Sequence, residues 1–406
     1  MRAAMSKRLL AVSIASVLGV VLAASGANAA KYGPGASDKE IKIGQTMPYS
    51  GPASAYGSIG KAEVAYFKMV NEQGGINGRQ VNIISLDDSY SPPKTVEQVR
   101  KLIEQENVLF LFQTLGTPTN SAIHKYVNAK KVPHLFLATG ATKWGDFKRY
   151  PWTMGWQPNY QSESKAYAAY ILKNHPNAKV GVLYQNDDYG KDYLHGFKEG
   201  LGDKAAKMIV KELSYETTDP TVDSQVVELK SSGADVFFNV TTPKFAAQSI
   251  RKAFDIGWKP VHLLNNVSAN IKTVFTPAGL DKSKGIISSQ YIKDIADTQW
   301  QKDKDYLAWK AWMEKYNPGI SLIDGNYVYG YSVAYTLHQV LKAAGDDLTR
   351  ENVMRQAANL KNLEVPMLLP GVTISTSPTD YYPIESVQLA KFDGEKFEAF
   401  GAVIGK

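Results

Sequence analysis

The chain contains no cysteine among its 406 residues. This absence excludes disulfide bonds and zinc sites built on thiolates. It also excludes a lipid anchor of the type that is attached to a cysteine directly after a leader, so we expect a free protein and not a lipoprotein. The fold must therefore be stabilised by hydrophobic cores, and the hydrophobic content of 44% is typical of a globular protein.

Concentrated charge is also missing. The formal net charge is +7, and three of the positive charges (Arg2, Lys7 and Arg8) lie in the first residues, so 7 − 3 leaves +4 for the remainder. No run of five or more basic residues occurs anywhere in the chain. A weak, dispersed positive charge does not favour binding to nucleic acid.

Motifs of catalysis and cofactor binding are absent as well. Residues 57–61 resemble a phosphate-binding loop, but the first glycine is not at the required spacing and Ala62 stands where Ser or Thr would bind magnesium. The chain has no G-x-G-x-x-G after its first strand, no G-x-S-x-G and no H-E-x-x-H, and its six histidines are scattered. We therefore predict a protein that is not an enzyme and has no metal or cofactor.

The first 30 residues have the composition of a signal peptide. A basic start precedes an apolar stretch from Leu9 to Ala23, and Ala27-Asn28-Ala29 supplies a small-x-small cleavage pattern. The apolar stretch is short for a membrane-spanning helix, which needs about 20 residues. The sequence thus predicts export to the periplasm, with cleavage near Ala29 or Ala30. The remaining 376 residues (406 − 30) match the usual size of two domains.

Strand-like and helix-like patterns alternate along the mature chain. This alternation, with helical stripes such as Val64, Phe67 and Val70 between the strands, predicts an α/β fold with doubly wound parallel sheets. The pattern restarts after Tyr150, which predicts a second unit of similar size. Predicted strands are 41–46, 81–86, 108–112 and 132–137 in the first unit, and 180–183, 208–213, 236–240 and 261–264 in the second.

A third block has too few strands to form a domain of its own. It contains a predicted strand at 286–291, a helical pattern at 300–316, a second helical pattern at 327–341 and a late strand at 387–392. We predict that this block returns to complete the first two units.

Two pairs of adjacent carboxylates, Asp87-Asp88 and Asp187-Asp188, follow predicted strands. Active sites of α/β folds cluster at such positions. Aspartates also cap helices and bind the amides of turns, and we prefer that interpretation here.

Loops rich in threonine and glycine follow two neighbouring strands of the first unit. Residues 114–119 and 139–142 place hydroxyls and free backbone N–H groups at helix starts, which suits a carboxylate. Simple helix capping by threonine is the alternative for either loop alone. In the second unit, loops after strands offer residues 187–190, Thr241 with Thr242, and Asn265 with Asn266. Tyr56, Trp156 and Tyr189 are candidates to cover an apolar ligand.

Several motifs resemble a known family. The opening run IGQTMPYSGP (43–52), the run NEQGGING (71–78), TGAT (139–142) and DYG (188–190) are similar to those of branched-chain amino acid ABC transporter binding proteins. The resemblance implies a type I periplasmic binding protein: two Rossmann-like lobes joined by a three-strand hinge, with a cleft that closes on a ligand. It implies crossings near residues 150, 285 and 366. The first lobe would comprise 31–150 completed by 286–365, and the second 151–285 completed by 366–406.

The resemblance also implies a binding site and partners. Thr117, Gly140, Ala141 and Thr142 would hold the ligand's carboxylate, and Tyr56 and Tyr189 would cover its body, with Trp156 and Tyr327 as further candidates. The implied partner of a monomeric binding protein is an ABC permease in the inner membrane.

Two departures from the family pattern bear on the ligand. Asn266 stands where amino-acid binders carry an acidic residue for the ligand's ammonium group, and Thr241 replaces an aromatic. A buried ammonium group without a carboxylate partner would cost several kcal/mol. We therefore predict a small carboxylate without an α-amino group, aromatic or otherwise apolar. Alternatives are an amino-acid binding protein, a subunit that presents its ligand to a sensor receptor, and a secreted hydrolase.

Overall fold

The computed structural model describes residues 30–405. The predicted signal peptide lies outside these residues, except for Ala30. Within the described range, no helix is both long enough and apolar enough to cross a membrane.

The strands and helices alternate over most of the chain. The strands are β1 Lys31–Tyr32, β2 Glu40–Met47, β3 Gln80–Asp87, β4 Phe110–Phe112, β5 His134–Leu137, β6 Thr153–Gly155, β7 Val180–Gln185, β8 Ile209–Tyr215, β9 Val236–Val240, β10 Val261–Leu264, β11 Ile287–Gln290, β12 Asp347–Leu348, β13 Val387–Phe392 and β14 Phe397–Ile404. The α-helices are α1 Gly57–Glu72, α2 Pro92–Arg100, α3 Thr117–Ala129, α4 Tyr160–Asn174, α5 Asp188–Leu201, α6 Ala205–Met208, α7 Asp223–Ser231, α8 Pro243–Asp255, α9 Thr276–Ala278, α10 Leu280–Ser283, α11 Lys304–Tyr316, α12 Gly325–Ala344 and α13 Arg350–Ala357.

Two sheets organise the molecule, and we name the part built on each a lobe. The first lobe contains a five-stranded parallel sheet in the order β3-β2-β4-β5-β6. The second lobe contains a seven-stranded sheet in the order β14-β13-β11-β10-β9-β7-β8, parallel from β11 to β8 and antiparallel at β13 and β14. The predicted α/β fold of two doubly wound units is confirmed.

The third block of the sequence completes both lobes. Helix α12 packs against α1 of the first lobe at close range, because Gly330 has no side chain there. A Cβ atom at Gly330 would lie 2.7 Å from the Cβ of Ala62. Residues from Leu360 to Ile384 also pack into the first core, whereas β11, β13 and β14 join the second sheet.

The chain crosses between the lobes three times, later than the motif resemblance implied. Strand β6 belongs to the first sheet and ends at Gly155, so the first crossing follows residue 155 instead of 150. Strand β11 belongs to the second sheet and ends at Gln290, which places the second crossing after 290 instead of 285. The third comes after Ile384, not near 366, because the intervening apolar residues are buried in the first core.

The buried side chain of His262 makes the stability of the second lobe sensitive to acid. It is buried on β10, its Nε2 lies 3.0 Å from Asn239 Nδ2, and burial lowers its pKa to about 3. As the pH falls below about 6.5, the unfolded chain protonates this imidazole and the folded protein does not. Stability is therefore lost by about 1.4 kcal/mol per pH unit, until the pH approaches the folded pKa.

A comparison with His262→Gln, which keeps a hydrogen-bond acceptor for Asn239, isolates this effect. Between pH 7 and pH 5, the free energy of unfolding of the native chain should fall by about 2 kcal/mol more than that of the variant. Urea unfolding at the two pH values measures the difference. Equal losses in both proteins would mean that the buried imidazole titrates normally.

Candidate functional site

A cavity lies between the two lobes, beyond the carboxyl ends of their parallel strands. It encloses about 770 Å³ of empty space, its mouth included. None of the described residues that line it carries an ionisable Asp, Glu, Lys, Arg or His side chain. The lining residues are Tyr56, Ile59, Tyr90, Leu115, Gly116, Thr117, Ala138, Gln157, Tyr160, Tyr189, Thr242, Asn266, Val267, Ala269, Asn270, Gln290, Tyr291, Ile292, Gly325, Asn326 and Tyr329.

A chain of hydroxyls in the first lobe ends at the cavity. Thr139 Oγ1 accepts hydrogen bonds from the indole N–H of Trp144 at 3.2 Å, from the amide of Ala141 at 3.4 Å and from the Tyr160 hydroxyl at 3.4 Å. Thr117 Oγ1 lies 2.6 Å from Thr139 Oγ1, and either hydroxyl can be the donor in this pair. When Thr139 donates, the hydroxyl proton of Thr117 can turn to an acceptor in the cavity.

The start of helix α3 supports the same preference for an acceptor or an anion. Thr117 is the first residue of this helix, and the N–H groups of a first helical turn have no partner within the helix. Gly116 before it has φ of 98°, a left-handed conformation that favours glycine, and a Cβ atom there would lie 2.5 Å from the Tyr90 ring. A glycine is therefore needed to bring the Tyr90 ring close to the helix start.

Asn266 forms part of the opposite wall in the second lobe. Its backbone N–H donates to Glu163 Oε1 at 2.8 Å, and its side-chain Nδ2 donates to the carbonyl of Ser289. The side-chain oxygen of Asn266 is thereby left to accept a hydrogen bond. Glu163 also accepts hydrogen bonds from the hydroxyls of Tyr167 and Tyr193, at 2.7 and 2.6 Å, and burial raises its pKa.

Tyrosine supplies most of the aromatic surface. Burial raises the pKa of all six lining tyrosines, so each is a neutral phenol at physiological pH. Their rings offer flat apolar faces, and the hydroxyls orient polar groups. The six are Tyr56, Tyr90, Tyr160, Tyr189, Tyr291 and Tyr329.

Of the ten site residues predicted from the sequence, four line the cavity: Tyr56, Thr117, Tyr189 and Asn266. They come from both lobes. Tyr56 lies at the start of α1 and Thr117 at that of α3, whereas Tyr189 lies in the first turn of α5 and Asn266 follows β10. The structure brings these four together around one space.

The predicted loop at 140–142 contacts protein groups instead of the cavity. The amide and the hydroxyl of Thr142 both donate to Asp192 Oδ2, at 2.7 and 2.9 Å, which links the first lobe to helix α5 of the second. Gly140 packs against Tyr160, since a Cβ atom there would lie 2.7 Å from that ring. Ala141 is buried in a hydrophobic cluster with Trp144 and Tyr160.

The other three predicted residues are buried outside the lining. Trp156 has no solvent exposure, and its indole N–H donates to Thr336 Oγ1 at 3.1 Å. Thr241 donates its hydroxyl to Asn239 Oδ1 at 2.7 Å. Tyr327 belongs to the core of the first lobe.

Several lining residues were not predicted from the sequence. Gln157, Gln290 and Tyr291 lie on or next to the segments that cross between the lobes, and Tyr329 lies within α12. Gln290 and Tyr291 stand at the carboxyl end of the strand predicted at 286–291, and this position could have identified them as candidates. Gln157 lies just after β6, a strand that the sequence pattern did not predict.

The two aspartate pairs mainly bind turn amides, as predicted. Asp88 accepts from the amide of Tyr90 at 2.9 Å, and Asp187 caps α5 by accepting from Tyr189 and Gly190. Asp87 also forms an ion pair with Lys94 of its own lobe at 3.1 Å, whereas the ion pair of Asp188, with Lys143 at 2.6 Å, joins the two lobes.

Further hydrogen bonds join the lobes on either side of the cavity. Asn270 donates to Asp324 at 3.1 Å, and Gln185 donates to the Tyr90 hydroxyl at 3.4 Å. The lobes are thus in contact and the cavity is covered. Across residues 30–405, no group of three or more His, Cys, Asp or Glu side chains is arranged to hold a metal ion.

Comparisons with known proteins agree with this architecture. The sequence model of the periplasmic binding protein family matches residues 40–396. Leu/Ile/Val-binding protein homolog 7 of Brucella suis is 24% identical over 265 residues, 63% of this chain and 62% of that protein, so the match spans under two thirds of the relative.

Two solved structures share the fold. A branched-chain amino acid ABC transporter protein of Thermus thermophilus with bound valine has a TM-score of 0.80 and 17% identity, and the match covers 91% of this chain and 97% of that one. A solute binding protein of an ABC transporter from Rhodopseudomonas palustris, in complex with 3,4-dihydroxybenzoic acid, has a TM-score of 0.74 and 19% identity, covering 91% and 98%.

Proposed function

The chain belongs to the periplasmic binding protein family, and from that premise we propose that it is the solute-binding component of an ABC transporter for a small carboxylate without an α-amino group. The ligand's carboxylate would lie at Thr117 and its aromatic or apolar body among the tyrosines. The observation that carries the proposal is a cavity with a threonine hydroxyl at a helix start and no charged side chain in its described lining.

The lack of a carboxylate in the lining argues against an α-ammonium group. The buried carboxylates of Glu163 and Asp324 contact lining residues, and both already accept hydrogen bonds. Glu163 accepts hydrogen bonds from Asn266, Tyr167 and Tyr193, and Asp324 accepts from the amide of Asn326 and the side chain of Asn270. A desolvated ammonium group would therefore lack an anionic partner.

The two solved neighbours carry chemically different ligands, valine and a dihydroxybenzoic acid, on one fold. The fold itself does not select between them, so the lining residues must. Tyrosine faces and neutral amides favour the apolar or aromatic acid. Delivery from the periplasm to an inner-membrane permease is part of the proposal and is supported by the family. The proposal also includes a monomeric protein without a lipid anchor, the latter because the chain has no cysteine.

Matched ligand pairs test the ligand class. Calorimetry should show tighter binding of 3-phenylpropanoate than of phenylalanine, and of 4-methylpentanoate than of leucine, because each pair differs only in the α-amino group. A thermal-shift screen over amino, aliphatic and aromatic acids identifies the best class, since a ligand of the folded state raises the melting temperature. Tighter binding of the amino acid in both pairs would overturn the proposal.

Substitution of Thr117 by valine tests the site. Loss of the hydroxyl leaves the ligand's acceptor without a buried partner, so the affinity for the best acid should fall by about 5- to 150-fold, equivalent to about 1–3 kcal/mol. Calorimetry on the native chain and the variant measures the change. The matched control is Thr218→Val, at an exposed position that does not line the cavity, and this variant should keep the native affinity. Equal affinity in all three proteins would place the carboxylate elsewhere.

A further inference from the structure

A second cavity adjoins the ligand cavity, and we name it the annex. It contains about 350 Å³ of empty space, its opening to solvent included. The two cavities share five lining residues, so they are neighbours across one wall: Ala269, Asn270, Gln290, Ile292 and Gly325. Thr117 lines only the ligand cavity. The annex therefore opens from a wall that does not include the proposed carboxylate position.

Little side-chain volume closes the wall that the two cavities share. Gly325 contributes no side chain, and a Cβ atom there would find only Asn270 Nδ2, at 3.6 Å. Asn270 is fixed at both ends, since its amide donates to Asp324 and its oxygen accepts from the amide of Thr273. The side chain of Gln290 has no hydrogen-bond partner within residues 30–405, so it can move aside at little cost. A chain of methylene width could pass between these residues.

The far walls of the annex are apolar. Beyond the shared residues it is lined by Ile271, Ile295, Ile323 and Phe397. Its two charged residues, Lys293 and Asp294, already have partners within the protein.

The partners of Lys293 and Asp294 are a carboxylate and two backbone amides of the protein. Lys293 Nζ lies 2.7 Å from Asp303 Oδ1, and the carboxylate of Asp294 accepts from the amides of Ala296 and Phe397, at 3.0 and 2.7 Å. Neither group is free to bind a second charge, so the chamber suits a hydrocarbon.

We propose, on the basis of the proposed function, that the annex receives the distal part of an elongated monocarboxylate. The carboxylate would lie at Thr117, the middle of the molecule among the tyrosines, and an apolar end in the annex. The substrate class is then an arylalkanoate or an alkanoate of comparable length, and a single-ring acid such as benzoate would fill only the first cavity. A second charge at the distal end would exclude a ligand, because no free cation lies in the described annex lining.

A length series tests this inference on the full mature chain. Calorimetry with benzoate, 3-phenylpropanoate and 5-phenylpentanoate should show affinity rising with length, by up to about fourfold for each methylene group that is buried. Affinity that stays the same or falls for the acids longer than benzoate would overturn the inference that the annex receives the distal part of the ligand. That outcome would leave the proposed function intact. Absence of binding by every acid would overturn both.

Two substitutions that fill the annex locate the distal end. Ile323→Trp and Ile295→Phe add bulk from different walls, and neither residue lines the ligand cavity. Each should remove the gain for 5-phenylpentanoate, by tenfold or more, while the affinity for benzoate stays within about twofold. Ile323→Val is the matched control and should preserve the whole series. Equal losses for short and long acids in both filled variants would contradict the inference.

Discussion

Replacement of Trp156 by alanine should lower the free energy of unfolding by about 3–5 kcal/mol. The indole is fully buried, donates to Thr336 on α12, and packs edge-on against Tyr291 and Tyr329, with ring centroids at 6.1 and 5.0 Å. Truncation would leave a large void at the first crossing and remove the indole donor from Thr336, whose hydroxyl would keep only its bond to the carbonyl of Ser332. Urea unfolding followed by circular dichroism measures the loss.

Ligand affinity gives this experiment its second readout. The alanine variant should bind acids more weakly only because Tyr291 and Tyr329, which do line the cavity, lose their support. Trp156→Phe restores most of the volume and should recover most of the stability and the affinity. A variant that retained native stability but lost all binding would show instead that the indole touches the ligand.

Replacement of Glu163 by alanine should have a comparable effect, a loss of about 3–5 kcal/mol in the free energy of unfolding. The carboxylate accepts three hydrogen bonds, from the amide of Asn266 and from the hydroxyls of Tyr167 and Tyr193. Without it the Asn266 amide and the Tyr193 hydroxyl lose their hydrogen-bond acceptor. The loop that carries Asn266 would also lose its anchor, so ligand affinity should fall together with stability.

Glu163→Gln is the matched control. The amide keeps one acceptor oxygen for Asn266 and Tyr167, and the Tyr193 hydroxyl can instead accept a hydrogen bond from the new NH₂ group. Stability and affinity should therefore remain close to native in the glutamine variant. A glutamine variant as damaged as the alanine variant would mean that the charge matters, and not the hydrogen-bonding pattern.

Much of the fold could be predicted from the pattern of apolar residues in the sequence. The strands predicted at 236–240, 261–264 and 387–392 match β9, β10 and β13 in both bounds, because most of their residues are apolar and buried. Strands β6 and β14 were missed, as were the two-residue strands β1 and β12. Strand β6 has three residues, and β14 is an edge strand whose outward residues are mostly exposed, so neither has a strong pattern.

The site was less accessible to prediction than the fold. Thr117 and Asn266 could be placed because each follows a strand of a parallel sheet, where ligands of such folds bind. Thr142 satisfies the same rule but faces Asp192, and only the relative position of the two lobes decides that. Gln157 depends on where the chain crosses between lobes, which is set by tertiary packing and not by local periodicity.

Because the third block of the sequence completes both lobes, it also determines when the protein can first become stable. Strands β13 and β14 complete the second sheet from the last residues of the chain, and α12 covers the first lobe from a position more than 150 residues after the last strand of that lobe's five-stranded sheet, 325 against 155. An N-terminal fragment of any length up to that helix would expose one face of its first core to water. Contacts so distant along the chain slow folding, so both cores can close only when nearly the whole polypeptide is present.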